Sequence, residues 1–181
     1  NNRKVYGIQE YQIKGSYFNN SMTPIAIDGD ATGPGAHNWV WAVSQPWCIG
    51  SGTKMDPYLI ANLTIDGMGT SSCISIKDSN AFFIIENCTL HNSGIQLDRG
   101  GIYLDHCNNG KIINNTFFNT FAGVHLIQSN NNYVSENNCS ANGRYGIRLQ
   151  SSSNNTFLEN DCSSNDWVGI HVKTSNIDNI F

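Results

Sequence analysis

Asp98, Arg99, Asp105 and His106 stand within nine residues of one another. Two carboxylates beside a guanidinium and an imidazole are the ingredients of acid/base cleavage of a glycosidic bond. Carboxylate oxygens are also what Ca²⁺ takes. Nothing in the spacing fixes how far apart Asp98 and Asp105 lie, so calcium is conceivable but unsupported. The competing reading is a solvated loop.

A second group is spread along the chain. Ser75, Tyr103, His125, Arg148 and His171 are the central residues of Ile74-Ser75-Ile76, Ile102-Tyr103-Leu104, Val124-His125-Leu126, Ile147-Arg148-Leu149 and Ile170-His171-Val172. If these triplets are equivalent strands, the central side chains form one outward column. Tyr, His and Arg in line could bind glycans or form a protein contact, or simply make up an exposed sheet face. His125 and His171 would be two strands apart, about 9.6 Å by strand spacing, too far to bind one metal directly. No metal site is read from the sequence.

The six cysteines form no CxxC pair, which removes the usual support for zinc, haem or thioredoxin-type chemistry. Cys139 and Cys162 would be neighbours in adjacent repeats, within disulfide range. A buried thiol ladder is the other reading. Cys48 and Cys73 are a second conceivable pair. Six Asn-x-Ser/Thr sequons, at Asn19, Asn62, Asn87, Asn114, Asn138 and Asn154, are candidate glycosylation sites and support secretion weakly.

What must position these residues is a repeat. The triplets are separated by 28, 22, 23 and 23 residues. A parallel series, 134–140 and 157–163, is offset by 23, with 111–117 a further 23 upstream and its register open by one residue. Earlier, less regular copies begin at Ile84 and Leu59. Gly101, Gly123, Gly146 and Gly169 each precede a triplet, where a tight bend between strands would favour glycine. The 28-residue step fits extra residues looping out around Asp98-Arg99-Gly100. A 23-residue unit with strands this short cannot bury its own apolar face, whereas stacked units share a continuous core. Strands linked in this way run parallel, with right-handed connections. Asn80, Asn108, Asn130 and Asn176, with Ser153, form one turn column. Ser79, Cys107, Ser129, Ser152 and Ser175 form the column before it.

The fold class is therefore all-β: a right-handed parallel β-helix over residues 58–181, of about five coils. Residues 1–57 form an aromatic-rich N-terminal cap and irregular entry coil. Tyr6–Ile13 is expected to be a capping strand, and 24–29 echoes 62–67. Trp39, Trp41 and Trp47 either pack the cap or offer an aromatic platform for sugars.

The segment Gly-Ile-Arg-Leu-x-Ser-Ser-Ser-Asn-Asn-Thr-Phe, Gly146 to Phe157, resembles the repeats of the NosD-like, carbohydrate-binding and sugar-hydrolase superfamily. Gly50-Ser51-Gly52-Thr53, Asp56-Pro57-Tyr58 and Ile65-Asp66-Gly67 resemble the entry segment of its archaeal and bacterial surface members. The resemblance implies a fold that hosts lyases, hydrolases, adhesins and structural proteins alike. The polygalacturonase motifs Asn-Thr-Asp and Gly-His-Gly are absent, as is the lyase Arg-x-Pro-x-x-Arg.

Only 13% of residues are charged, the formal net charge is −4, and no basic cluster exists, which argues against a nucleic-acid partner. No apolar run approaches the roughly 20 residues of a membrane span. The expectation is an extracellular or cell-surface structural protein. It is either self-assembling head to tail into a glycosylated filament or continuing as a longer β-helix, because apolar Ile180-Phe181 opens a new strand. The alternative is a polysaccharide-binding module or a lyase or hydrolase. That reading requires a groove beside the 98–106 turn or the Tyr103–His171 column. A copper role would rest on the NosD resemblance alone.

Overall fold

The computed structural model describes residues 22–174 and 176–181. The Tyr6–Ile13 strand, the Asn19 sequon and Ser175 lie outside the described residues.

The described chain winds as a right-handed β-solenoid with three sheets for walls. The first sheet stacks Ile25–Asp28, Ile74–Ser79, Ile102–Cys107, Ala122–Ile127, Tyr145–Gln150 and Val168–Lys173, all parallel. The second stacks Tyr58–Ala61, Phe83–Glu86, Gly110–Ile113, Tyr133–Ser135 and Thr156–Leu158, with Cys48–Ile49 antiparallel at one edge. The third is the narrowest: Thr64–Asp66, Thr89–His91 and Thr116–Phe118, continued by bridges at Asn138 and Asp161. Val134 pairs with Ile112, so the step left open in the second series is 22 residues.

Each wall contributes an apolar ladder to the interior. Ile74, Ile102, Val124 and Ile147 line up in the first sheet, Ile60, Ile85, Ile112 and Val134 in the second, and Ile65, Leu90, Phe117 and Cys139 continue the third; all are buried. Residue for residue, the core is one column of side chains per inward position. This is why the apolar-x-apolar pattern recurs at the coil length.

The glycines before the first-sheet strands have a different cause from the one expected. Gly101, Gly123, Gly146 and Gly169 do not adopt positive φ. They are small because the opposite wall presses on them. A Cβ at Gly101 would sit 2.4 Å from the Phe117 ring, one at Gly123 3.1 Å from Cys139 Cβ, and one at Gly146 2.8 Å from Cys162 Cβ. The left-handed corners are made instead mostly by Asn, with Asp, Glu, Gln, His, Ser, Thr, Ala and Met at single corners or a few, and one column of them is Asn62, Asn87, Asn114, Glu136 and Glu159. Asn tolerates that backbone better than most residues.

Polar ladders run beside the apolar ones. Asn137 accepts from the Asn115 amide at 2.9 Å and donates to Asn160 Oδ1 at 2.9 Å. Asn132, Asn155 and Asn179 repeat the arrangement. The outer, mostly half-buried column Asn80, Asn108, Asn130 and Ser153 forms as expected. Asn176 does not belong to it. The last coil is one residue longer, and Asn176 accepts from Ser152 N, which places it in the inner serine column.

Residues 22–57 join the solenoid through Ile25–Asp28, which pairs with Ile74–Ser79. The echo of 62–67 at 24–29 therefore belongs to a different wall. A short helix, Trp39–Ser44, is capped by Asn38 Oδ1 accepting from Trp41 N. Buried Trp39 donates from Nε1 to Ser79 Oγ at 2.8 Å and stacks on Tyr58. Trp47 is buried against Trp41. Both Trp39 and Trp47 pack the entry coil.

Candidate functional site

The first sheet places Ser75, Tyr103, His125, Arg148 and His171 side by side on consecutive rungs, in the expected register. The column is not an open face, however. Tyr103 is 6% exposed, His125 0% and Arg148 4%. Two features cover it. The insert around 94–99 lies across the sheet, and a small apolar cluster of Phe121, Ala122 and Tyr145 packs outside the main core.

The insert is the loop that lengthens the coil between His91 and Ile102. Arg99 ties it to the turn before the Ile74–Ser79 strand by donating from Nε to Thr70 O, and Asp98 pairs with Arg99 at 2.8 Å. The Leu97 carbonyl accepts from Arg148 Nη1 at 2.7 Å. Ile95 and Leu97 point their side chains to solvent.

Beneath the insert the column is a chain of contacts. The Tyr103 ring meets His125 edge-on at 5.3 Å, and Arg148 Nη1 is 3.2 Å from His125 Nε2. Tyr145 stacks on His171 at 4.8 Å. Arg148 lies over the Phe121 and Tyr145 rings. Alongside, Arg144 is sandwiched between Phe121 and Trp167, 4.5 Å from the latter. Burial, with Arg148 adding to it, pushes the His125 pKa down to about 3, so its imidazole is neutral. Burial and then the carboxylate of Asp105 push the Tyr103 hydroxyl up to about 12.

Asp105 and His106 lie at the far end of the Tyr103 strand. Asp105 binds His106 Nδ1 at 2.8 Å and accepts weakly from the Tyr103 hydroxyl at 3.4 Å, while His106 turns outward on left-handed backbone. The structure thus brings Asp98, Arg99, Tyr103, His125 and Arg148 together and leaves His106 at the rim. Phe121, Arg144, Tyr145 and Trp167 were missed by sequence reading. Phe121, Arg144 and Trp167 each stand two residues before a column glycine, so the 23-residue period carries the signal.

On the N-terminal side of the insert, the same sheet face forms the floor of an open groove of about 370 Å³. Asp28, His37, Ser75, Lys77, Arg99 and Tyr103 line it. His37 stacks on Trp41 at 4.0 Å, which sets an aromatic pair at the rim.

The cysteines are free thiols, five buried and Cys162 half-buried. Cys139 and Cys162 are neighbours in the third wall, and the Cys139 thiol hydrogen-bonds to Cys162. The Cys48 thiol is directed to Ile49 O, and that of Cys73 to His91 O. The five described sequon asparagines, Asn62, Asn87, Asn114, Asn138 and Asn154, are all exposed.

Residues 56–181 match the family model described as periplasmic copper-binding protein (NosD). No curated protein and no solved structure matches the chain. Copper does not fit the described residues. Among the described residues no three His, Cys, Asp or Glu side chains gather into a metal-binding group. His125 and His171 are held apart by the Arg148 rung, and His125 Nε2 is already engaged by Arg148.

Proposed function

Taking as premise that the chain belongs to the NosD family of parallel β-helix proteins, we propose that it works outside the cytoplasm as a saccharide-binding β-helix. The observation that carries the reading is the groove beside the insert. It lies where a binding module on this sheet requires one, and its volume suits one or two sugar rings. The His37–Trp41 pair supplies an aromatic surface at the rim, while Asp28, Ser75, Lys77 and Arg99 supply hydrogen-bond donors and acceptors above the buried Tyr103. Binding is favoured over hydrolysis because Asp28 is the one carboxylate among the described groove-lining residues, and glycoside hydrolysis uses two. Among the described residues no helix is long and apolar enough to cross a membrane.

The test is a glycan array followed by calorimetry with Ser75→Trp, which fills the groove from a half-exposed position without touching the core. Wild-type protein is expected to bind at least one glycan class and the variant to lose it. An array with no binder would overturn the reading, as would undiminished binding by a folded variant.

Head-to-tail assembly is the second reading. It is favoured by the unpaired edge of the Val168–Lys173 rung, where Trp167, Val168 and Val172 are exposed. A further coil, of the same chain or of a second copy, would pair that edge. Sedimentation and negative-stain microscopy of the mature protein distinguish the two. Glycosylation of the exposed sequons belongs to the same reading and is tested by intact mass before and after deglycosylation.

A further inference from the structure

The insert supplies Arg99 to the groove, and little apolar packing holds it in place. Residues 95–98 are all exposed, with the Ile95 and Leu97 side chains in solvent. Its ends are tied by hydrogen bonds: Gly94 N donates to Ser71 O at 2.9 Å, Arg99 Nε to Thr70 O at 3.3 Å, and Gly100 N to Ser72 Oγ at 3.2 Å. Between the ends it is held from below. Arg148 Nη1 donates to Leu97 O at 2.7 Å, and the His125 ring hydrogen-bonds to the Arg99 backbone. The proton for that second bond is in place. His125 Nε2 accepts from Arg148, so the neutral ring carries its hydrogen on Nδ1. The packing is close as well, since a Cβ added at Gly100 would sit 3.4 Å from His125 Cβ. The same imidazole meets the groove's floor, where the Tyr103 ring contacts it edge-on at 5.3 Å. His125 therefore touches the floor through Tyr103 and the wall through the Arg99 backbone, while being fully buried itself.

We infer that His125 and Arg148 are positioning residues for the groove, latching the insert from beneath so that Arg99 stands where a bound molecule meets it. The inference rests on the groove being the binding site, and it adds which buried residues govern that site. Neither side chain lines the groove, so neither touches its occupant. Their effect is exerted through the wall. A wall already fixed needs no ordering when a molecule binds, and the latch raises affinity in that way alone. Losing the latch is expected to loosen the insert without opening the sheet. The Ile102–Cys107 and Ala122–Ile127 strands stay paired on both sides, and the insert's end tethers do not involve His125 or Arg148. His171 is the internal control. It is the next rung of the same column and stacks on Tyr145, away from the insert.

Residue-resolved hydrogen exchange of the ligand-free protein is the test. His125→Leu and Arg148→Met are expected to speed exchange of the Arg99 and Gly100 amides by roughly tenfold or more, with the Ile102–Cys107 and Ala122–Ile127 strands unchanged. His125→Gln, which keeps a donor and an acceptor, and His171→Gln are expected to exchange as wild type. Calorimetry with the tightest-binding oligosaccharide of the glycan array should follow the same order, roughly fivefold weaker for the first two variants and unchanged for the Gln variants. Unchanged exchange of the insert in a folded His125→Leu or Arg148→Met overturns the inference. Protection lost across the whole sheet overturns it too, because the role is then structural. Imidazole ¹⁵N shifts of wild-type protein decide the case even if no variant folds: the Nδ1–H tautomer of His125 is expected, and the Nε2–H tautomer overturns the latch. An array without a binder overturns the saccharide reading alone, and the exchange and tautomer results still decide the latch.

Discussion

Arg148 Nη1 donates to His125 Nε2 at 3.2 Å across one rung of the first sheet, and the same nitrogen donates to the Leu97 carbonyl of the insert. One guanidinium therefore fixes both the tautomer of a fully buried histidine and the position of the loop above it. The ring is neutral because burial, then the adjacent positive charge, drives its pKa down to about 3.

This gives a signed pH dependence. In the unfolded chain His125 titrates near 6.5, whereas in the folded protein it does not take a proton until near pH 3. Its contribution to stability is complete above pH 6.5 and is lost progressively as the pH falls from 6.5 to 3, because the unfolded state binds the extra proton. At pH 4 the loss is on the order of 3 kcal/mol. Urea denaturation at pH 7 and pH 4 is expected to show a smaller fall in stability for His125→Gln than for wild type. Equal falls would mean that His125 is protonated in the folded state.

The glycine columns give a second expectation. A Cβ at Gly146 would meet Gly169 O at 2.7 Å and Cys162 Cβ at 2.8 Å, both held by the framework. Gly146→Ala is expected to destabilise by about 1–3 kcal/mol through overpacking. Gly143→Ala is the control, since its Cβ would meet only Thr120 O at 3.4 Å. Its effect is expected within about 0.5 kcal/mol. Thermal denaturation of both variants decides the matter.

How much was legible follows from what repeats. The period fixes which residues stack, so Tyr103, His125, Arg148 and His171 fall in line as read. It says nothing about what lies over the stack. The insert has no counterpart in other coils, so no repeat could show that it folds back and turns an outward face into a buried one. The glycines were read for backbone freedom, but their cause is the width of the barrel between Gly123 and Cys139, a distance between walls that sequence spacing does not encode. The one-residue lengthening of the last coil was invisible because Ser175-Asn176 imitates the Ser-Asn pair of the coils before it.

The buried asparagine ladders give a third. Asn137 accepts from Asn115 N and Nδ2 and donates from Nδ2 to Ile112 O, Ser135 O and Asn160 Oδ1. Asn137→Leu has similar volume but leaves those partners without bonds inside the wall. The expected cost is about 3 kcal/mol or more, since each buried unmade bond costs 1–3. Because stacked coils depend on their neighbours, hydrogen exchange should show loss of protection spreading from the Asn115 and Asn160 coils. A variant as stable as wild type would show that the ladder is replaceable by apolar packing.

The last prediction concerns the thiols. Burial pushes Cys48, Cys73, Cys88 and Cys107 up to about 12, and burial raises Cys139 as well. Cys162 moves the other way. The Cys139 thiol donates to it and stabilises its thiolate, and Cys162 alone of the six is half-buried. Thiolate content and access together set the rate of alkylation, so one fast thiol is expected in the folded, reduced protein. Mass spectrometry after brief maleimide treatment should show a single adduct, mapped to Cys162, with the other five labelled only after denaturation. Cys139→Ala removes the donor and is expected to slow that adduct several-fold while leaving the fold intact, because the side chain stays small beside Gly123. If Cys139 and Cys162 are instead joined in the mature protein, the fast adduct is missing, the mass is lower by two hydrogens, and reduction restores the reactive thiol.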